Sequence, residues 1–325
     1  MPSGARAQTQ DSPALGYVQA VLSACAFAIS GPLAQALFVV GWSSAAVTAS
    51  RALIGALAIL PFALRGIKAT PPHRAQLRGL IVFGLVALGG GQLCFLTSVK
   101  YMPVAAALMI ESMAPALVVL WMWLVRSARP AGLSVAGGLV ALIGLAFVLD
   151  VGSSSTVGIA GVAWALGALV CSASYILMSS AVDSGLSSSF MGAVGSAAGA
   201  ALVGLLGVLG IMPLRFTFTK PLVGTVGVPW WAVLLVMGAL SSGIGTFLGI
   251  SGARRLGPRM AGYVALSVPM AGAGWAWMLS GQKVTLNLAL GGVLILGGVL
   301  LARLGEPGPS NVSASPTLEV PRLPE

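Results

Sequence analysis

The sequence is poor in charged residues, in histidine and in cysteine. Only 7% of its 325 residues are Asp, Glu, Lys or Arg and 57% are hydrophobic, whereas soluble domains carry about 25% charged residues. The one histidine, His73, lies in a polar stretch, which excludes an intramembrane zinc site or Ser-His catalysis built on histidine. The three cysteines are scattered through apolar segments without a CxxC pair, so no disulfide framework or metal site is indicated. This composition is that of an integral membrane protein.

Basic residues outnumber acidic ones, 17 to 7, and the formal net charge is +10. They lie at the ends of apolar segments and form no dense cluster with interleaved aromatic residues, so a nucleic-acid partner is not indicated. We expect the lipid bilayer to be the partner of the apolar segments, and we attribute the positive charge to the orientation of the protein in the membrane.

Ten segments are apolar and long enough to cross a bilayer, which requires about 20 residues each. They predict an all-α integral membrane fold with ten transmembrane helices, at about residues 15–40, 44–64, 78–98, 102–125, 132–149, 158–181, 187–212, 230–251, 260–280 and 285–303. Polar breaks separate these segments, among them residues 65–78 and 254–259.

Lys and Arg are distributed unevenly between alternate loops. With the N-terminus inside, twelve of them fall on the inner side and four on the outer side. The outer four are Lys100, Arg215, Lys220 and Lys283. Because cytoplasmic loops are enriched in Lys and Arg, we predict that both termini are cytoplasmic.

The second half of the chain repeats the first. An offset of 154 residues aligns Pro115 with Pro269, together with two tryptophan pairs and the glycine pairs 137/291, 138/292 and 144/298. We therefore predict a polar tail at 1–13, a five-helix repeat at 14–150, a second at 157–304 and a disordered tail at 305–325. The alternative is chance recurrence in a chain with 44 glycines.

Each predicted repeat has an odd number of helices, so the second must cross the membrane in the opposite direction. Many secondary transporters have inverted repeats of this kind and bind their substrate near the midplane between them. The pattern therefore favours a transporter with a central site.

Glu111 is an acidic residue in the middle of an apolar run, and Pro115 follows it by one helical turn. A carboxylate at bilayer depth is costly and usually faces a cavity or a partner charge, while the proline frees a backbone carbonyl one turn earlier. A carboxylate beside a loosened turn suits a substrate amine or a proton. The alternative is a fixed ion pair with Arg51 that has no transport role.

Arg51 lies within the second predicted span, near the small polar residues Ser44 and Thr48. It is a candidate for binding a substrate carboxylate, and the alternative is that it holds Glu111 or helix-end carbonyls.

Four further residues place a hydrogen-bonding side chain within an apolar span: Gln92, Tyr175, Tyr263 and Ser267. Such groups need a partner or a wet cavity, so each is a candidate for lining the substrate site, with helix packing as the alternative. Tyr263 and Ser267 precede Pro269 and occupy the region of the second repeat equivalent to Glu111. Pro115 and Pro269 are predicted helix breaks or hinges.

The segment 91–105, followed by the Glu-x-x-x-Pro pattern at 111–115, resembles the EamA branch of the drug/metabolite transporter superfamily over about residues 15–304. Within that branch the Thr-x-x-Arg pattern at 48–51 and Tyr-Ile-Leu at 175–177 are most similar to the threonine/homoserine exporters. The resemblance implies export of amino acids or related metabolites across a bacterial inner membrane by alternating access. The sequence departs from those exporters at Val268, where they carry a Glu before the proline, and at Gln282, where they carry a Glu after the ninth span.

The leading hypothesis is a secondary active exporter of small metabolites, with Glu111 and Arg51 flanking a central cavity. The alternatives are a multidrug or cationic-compound exporter, a non-transporting membrane sensor, and a membrane-embedded enzyme. An enzyme would need several catalytic groups at one membrane depth, and only Glu111 offers one, so we expect no enzymatic activity. No cofactor is indicated, Glu111 is the group that would couple transport to protons, and the sequence specifies no oligomeric state.

Overall fold

The computed structural model describes residues 13–69, 74–126, 131–148, 158–179 and 187–305. In these ranges the chain is helical apart from short connections and one small hairpin. The elements are α1 (Pro13–Ala28), α2 (Ser30–Val39), α3 (Ser44–Ala69), α4 (Arg74–Phe83), the π-helical segment π1 (Gly84–Gly90), α5 (Gly91–Ser98), α6 (Val104–Glu111), α7 (Ala114–Arg126), α8 (Gly132–Val148), α9 (Ile159–Ser179), α10 (Ser188–Val208), β1 (Leu222–Val223), β2 (Val226–Gly227), α11 (Trp230–Leu235), the π-helical segment π2 (Val236–Gly245), α12 (Thr246–Ala265), α13 (Ser267–Ser280) and α14 (Leu286–Gly305).

Eight helical stretches in the described residues are long and apolar enough to cross a membrane. They are Ala14–Val39, Ser44–Arg65, Gln76–Ser98, Val104–Val125, Ile159–Met178, Ser189–Val208, Trp230–Ala253 and Leu286–Gly305. The fifth predicted span corresponds to the shorter apolar helix Gly132–Val148. The predicted polar tail lies almost wholly, and the disordered tail beyond residue 305 entirely, outside the described residues.

The ninth predicted span differs from the structure. Helix α12 continues through residues 254–259, where the sequence predicted a break, and α13 has 14 residues. At 1.5 Å per residue α13 rises about 21 Å, short of a hydrocarbon core of about 30 Å. The stretch 254–259 does end the eighth apolar span, which the structure has at Trp230–Ala253, but it does not end the helix. Charges interrupt the hydropathy without interrupting the helix, because Arg is a strong helix former, and for the same reason α3 runs past Arg65 to Ala69. Helix propensity does not account for Gly257 and Pro258 inside α12.

Connections between alternate predicted spans meet at one end of the helix bundle, which we call the loop end. The backbone N–H of Ser43 donates to the carbonyl of Arg215 at 3.1 Å, and the Trp42 indole donates to the carbonyl of Thr217 at 2.6 Å. Further contacts of this kind join Gly224 to Leu279 and Gly158 to Tyr101. These bonds join the connections after predicted spans 1, 7 and 9, and those after spans 3 and 5. Gln35 of α2 links the two groups, because it bonds both the Val99 carbonyl and Gln282.

Helices α8 and α14 pack backbone to backbone through glycines. A Cβ atom on Gly144 would lie 2.7 Å from the carbonyl oxygen of Gly291, and one on Gly298 would lie 2.5 Å from that of Gly137. The 154-residue offset aligns Gly137 with Gly291 and Gly144 with Gly298. In the structure Gly144 contacts Gly291 and Gly137 contacts Gly298, so each glycine of α8 lies against the repeat equivalent of the other. A two-fold relation produces this reciprocal pattern.

The two π-helical segments lie at equivalent positions of the two halves, because Gly84 and Val236 begin them 152 residues apart, the offset that also aligns Gly91 with Gly243 and Phe95 with Phe247 in this part of the repeat. Segment π1 packs on α10, where a Cβ on Gly84 would lie 2.7 Å from the Cα of Gly195. Segment π2 packs on α3, where a Cβ on Gly55 would lie 3.0 Å from the carbonyl oxygen of Gly238. Each half therefore packs a π-helical segment on a helix of the other half.

Candidate polar site between the repeats

A small polar cavity of about 20 Å³ lies in the core beside Arg51, large enough for about one water molecule. Helices α1, α3, α5, α10 and α12 and the segments π1 and π2 contribute to its wall. The lining residues are Phe27, Thr48, Arg51, Ala52, Leu88, Gln92, Ser196, Ser242 and Thr246. We call this space the Arg51 cavity, and it brings together two predicted site residues, Arg51 and Gln92.

The Arg51 side chain is only 2% exposed. Its Nε donates a 3.0 Å hydrogen bond to the Ser242 hydroxyl, which lies in π2. One terminal nitrogen, Nη1, is buried and has no hydrogen-bond partner among the described residues. A buried guanidinium with an unfilled donor is costly, and an acceptor the size of a water molecule would fit the cavity and satisfy it.

Glu111 is the last residue of α6 and is half-buried. The helix breaks at Ser112 and Met113 and restarts as α7 at Ala114. Pro115 has no N–H to donate to the carbonyl of Glu111, so a break one turn before the proline is the expected place. The Glu111 side chain thus lies at the junction of two half-length helices.

The carboxylate of Glu111 is bonded by a serine, and not by Arg51. Its Oε1 accepts a 2.6 Å hydrogen bond from the hydroxyl of Ser172 in α9. No ion pair with Arg51 is found among the described contacts, so each of the two charges is held by a serine of the second half, Arg51 by Ser242 and Glu111 by Ser172.

The second half carries the same break without the acid. Helix α12 ends at Ala265, which is 154 residues after Glu111, and α13 restarts at Ser267 with Pro269 two residues later. The Ser267 hydroxyl donates to the carbonyl of Val264 at 2.6 Å, so its proton is used within the helix break itself. Both prolines therefore follow a helix break, and only the first break bears a charge.

The remaining predicted residues do not share one place. Gln92 lines the Arg51 cavity. Tyr175 packs its ring against Phe83 with centroids 5.1 Å apart, is 37% exposed and does not line that cavity. Tyr263 belongs to α12, and its side chain lies outside the described residues.

Helix α5 lies between the Arg51 cavity and α9, the helix whose Ser172 bonds Glu111. Its Gln92 lines the cavity, while Cys94 lies against α9, where a Cβ on Gly167 would come within 3.1 Å of its sulfur. On the α3 side the hydroxyl oxygens of Thr97 and Ser44 are 3.0 Å apart and hydrogen-bonded. A movement of α5 would therefore alter the surroundings of both charged residues.

Sequence reasoning missed the two serines that hold the charges. Ser172 lies in the polar run 171–174 of an apolar span, and Ser242 follows Ser241 in another. A pair of small polar residues in an apolar helix was the available signal, although serines are common in such helices and only the fold assigns them a partner.

Comparisons with known proteins agree with this architecture. The sequence matches the EamA-like transporter family twice, over residues 14–150 and 159–304. A solved chain described as "Crystal structure of protein" is similar in fold, with a TM-score of 0.58 and 20% identity over 88% of this chain and 96% of that chain. The comparison with curated proteins gave no match. The two family matches together span most of the sequence, and this chain belongs to the EamA-like transporter family, whose members are multi-pass membrane transporters of small molecules.

Proposed function

We propose that this protein is a secondary active transporter that exports amino acids or related small metabolites across a bacterial inner membrane by alternating access. The observation that carries the proposal is the arrangement of the two buried charges. Arg51 and Glu111 are each held by a serine, and a donor of Arg51 remains unfilled.

A zwitterionic substrate would complement these two charges once the halves move apart, because the Arg51 cavity as it stands has room for about one water molecule and Glu111 is not in its wall. The substrate's carboxylate would accept from Nη1 of Arg51, and its ammonium group would donate to the Glu111 carboxylate, whose second oxygen has no described hydrogen bond. Each group would exchange a hydration shell for a charged partner in a low-dielectric site. A lipophilic cation would meet Arg51 as a like charge, so the cationic-exporter alternative fits this site less well.

The ten-span, inverted architecture remains part of the proposal. The reciprocal glycine contacts and the paired π-helical segments support a two-fold relation between the halves. Since the connections after predicted spans 1, 3, 5, 7 and 9 meet at one end, the path of the chain is compatible with ten crossings. The excess of basic residues in the other connections favours cytoplasmic termini.

Counterflow in proteoliposomes tests the proposal. Purified protein would be reconstituted with internal threonine, and uptake of labelled threonine would be challenged by other amino acids, by the matching amine without a carboxylate, by the matching acid without an amine, and by tetraphenylphosphonium. Competition by amino acids alone is the expected result. Competition by tetraphenylphosphonium and by the amine, without competition by amino acids, would favour the cationic exporter.

Variants assign the roles of the two charges. Glu111→Gln is expected to lower the exchange rate about tenfold or more, because losing one charged contact costs on the order of 1.4 kcal/mol or more. Glu111→Asp keeps the charge and should retain part of the activity. If Glu111→Gln left both exchange and the response to an imposed pH gradient unchanged, Glu111 would have no role in binding or in proton coupling.

A further inference from the structure

A second and much larger cavity, of about 500 Å³, opens at the loop end. It lies between the connection from α5 to α6, the connection from α13 to α14, and the ends of α2 and α8. We call it the loop-end cavity. It shares no lining residue with the Arg51 cavity, and its volume falls in the range of small-molecule sites, about 300–1,000 Å³.

The charges around the loop-end cavity have one sign. Lys100 and Lys283 come from the two connections and line it together, and no Asp or Glu is among the described residues of its wall. These lysines come from separate halves of the chain. Two ammonium groups at one space, with no carboxylate among the described residues of its wall, favour an anion.

Two helix N-termini add to this positive potential. Helix α6 begins at Val104 and α14 begins at Leu286, and residues of both first turns, Ala105, Ala106 and Leu288, line the loop-end cavity. The first N–H groups of a helix have no partner within the helix, and the helix dipole places a partial positive charge there. In α14 the Leu288 N–H is capped by the Thr285 hydroxyl at 3.3 Å, so its contribution is that of the dipole, and both helix N-termini favour an anion as the lysines do.

A buried acceptor in the wall has no partner. Gln35 donates through Nε2 to the carbonyl of Val99 at 3.1 Å, which can only accept, so the orientation of the Gln35 amide is fixed. Its Oε1 then accepts from Nε2 of Gln282 at 2.7 Å, which fixes Gln282 in turn. The Oε1 of Gln282 is left buried without a hydrogen-bond partner among the described residues, and it calls for an N–H or O–H donor.

We propose that the loop-end cavity is a second binding site, which takes a small organic anion that also carries an N–H donor. Lys100 and Lys283 hold the carboxylate or phosphate group, and Gln282 accepts from the N–H group. The site is separate from the one around Arg51, so solute could be retained at the loop end before or after it passes the core. A glutamate in place of Gln282 would repel the anion.

Fluorine NMR of the purified full-length protein in a neutral detergent tests this site. The probes are N-trifluoroacetylglycine, an anion that carries an N–H donor, and trifluoropropylamine, a cation. We expect protein-dependent broadening of the N-trifluoroacetylglycine signal only. The double variant Lys100→Gln/Lys283→Gln should raise the Kd of the anionic probe about tenfold, which is the order of magnitude expected for the loss of two partly exposed charge contacts. Gln282→Glu should weaken binding of the anion as well. Lys100→Arg/Lys283→Arg should retain binding, which would show that the loss in the glutamine variant comes from the lost charges and not from misfolding.

Lys220→Gln provides the matched control. Lys220 is an exposed lysine in the connection from α10 to α11, outside the wall of the loop-end cavity, and its substitution should change the Kd by less than about twofold. Displacement by acetate more than by phosphate would identify a carboxylate site, and the reverse a phosphate site. Equal broadening of both probes, displacement by neither anion, or equal effects of Lys220→Gln and the double variant would overturn the proposal. Because this experiment measures binding and not transport, an absence of threonine counterflow would not contradict the second site.

Discussion

Ser172 donates a 2.6 Å hydrogen bond to Oε1 of Glu111, and this bond joins the second half of the chain to the first at the point where helix α6 ends. A carboxylate surrounded by apolar residues needs such a donor, because burial without one is costly. If transport proceeds by the proposed alternating access, the two halves move relative to each other, and this bond between them is one that the movement would strain or break.

Ser172→Ala is expected to lower the exchange rate about tenfold. A hydrogen bond to a charged group contributes about 1.5–3 kcal/mol, and its loss leaves Glu111 free to take other positions. Ser174→Ala is the matched control, because Ser174 is on the same helix and its hydroxyl donates to the helix's own Val170 carbonyl at 2.9 Å. Initial rates of threonine counterflow at equal reconstituted protein would be compared. Equal rates for the two variants would show that Ser172 does not position Glu111.

Arg51→Met is expected to raise the midpoint of thermal unfolding while exchange is lost. The guanidinium is 2% exposed and keeps an unpartnered donor, and replacing such a buried charge by an apolar side chain removes its desolvation cost. The gain should be about 1 kcal/mol or more.

Arg65→Met controls for the change of charge on the same helix. Arg65 is exposed, and its guanidinium lies 5.9 Å from the centroid of the Phe62 ring, so its loss should shift the midpoint little and leave exchange intact. Thermal unfolding in detergent measures both variants. A lower midpoint for Arg51→Met would instead mean that Arg51 is paired within the protein and acts as a structural residue, since breaking a buried pair costs about 3–5 kcal/mol.

The positions of the buried charges could be predicted from the sequence, whereas their partners could not. A charge in an apolar run is visible by itself, and the 154-residue offset placed Glu111 and Pro115 opposite Ala265 and Pro269, where the structure breaks both helices. The partner serines are 61 and 191 residues away from Glu111 and Arg51. Only the packing of α9 and π2 on the first half decides which of many serines they are.

The glycine runs illustrate the same limit within the helices. Gly89, Gly90 and Gly91 lie within the third predicted span, at 78–98, and in the structure Gly89 and Gly90 end the π-helical segment π1. Glycine has no Cβ that would favour one winding, and the choice depends on the close approach of Gly199 in α10. Local sequence therefore permits the segment, and the contact between the halves selects it.

Gly298→Ala is expected to destabilise the protein by about 1–3 kcal/mol, because a Cβ there would lie 2.5 Å from the backbone of α8 and overpacking costs about that amount. The neighbour Gly297 has no atom within 4 Å of an added Cβ, so Gly297→Ala should be neutral or stabilising by up to about 1 kcal/mol through its higher helix propensity.

Two glycines of α8 test the same packing from the other helix. Gly144→Ala should destabilise like Gly298→Ala, and Gly138→Ala, which also meets open space, should behave like Gly297→Ala. The midpoint of thermal unfolding in detergent measures all four variants. If Gly298→Ala and Gly297→Ala gave the same midpoint, α8 and α14 would not be in backbone contact.

Cysteine labelling is expected to place Lys100 and Arg65 on opposite sides of the membrane. Lys100 lies at the loop end, and Arg65 lies 21 residues after Ser44, the first residue of α3, which places it about 32 Å away along that helix. A membrane-impermeant maleimide should label Lys100→Cys in intact cells, and Arg65→Cys in inside-out vesicles. The unsubstituted protein, whose three cysteines are all half-buried, gives the background in each preparation. Labelling with the two sides exchanged would reverse the predicted orientation, and labelling of both positions from one side would contradict a span that crosses the bilayer between them.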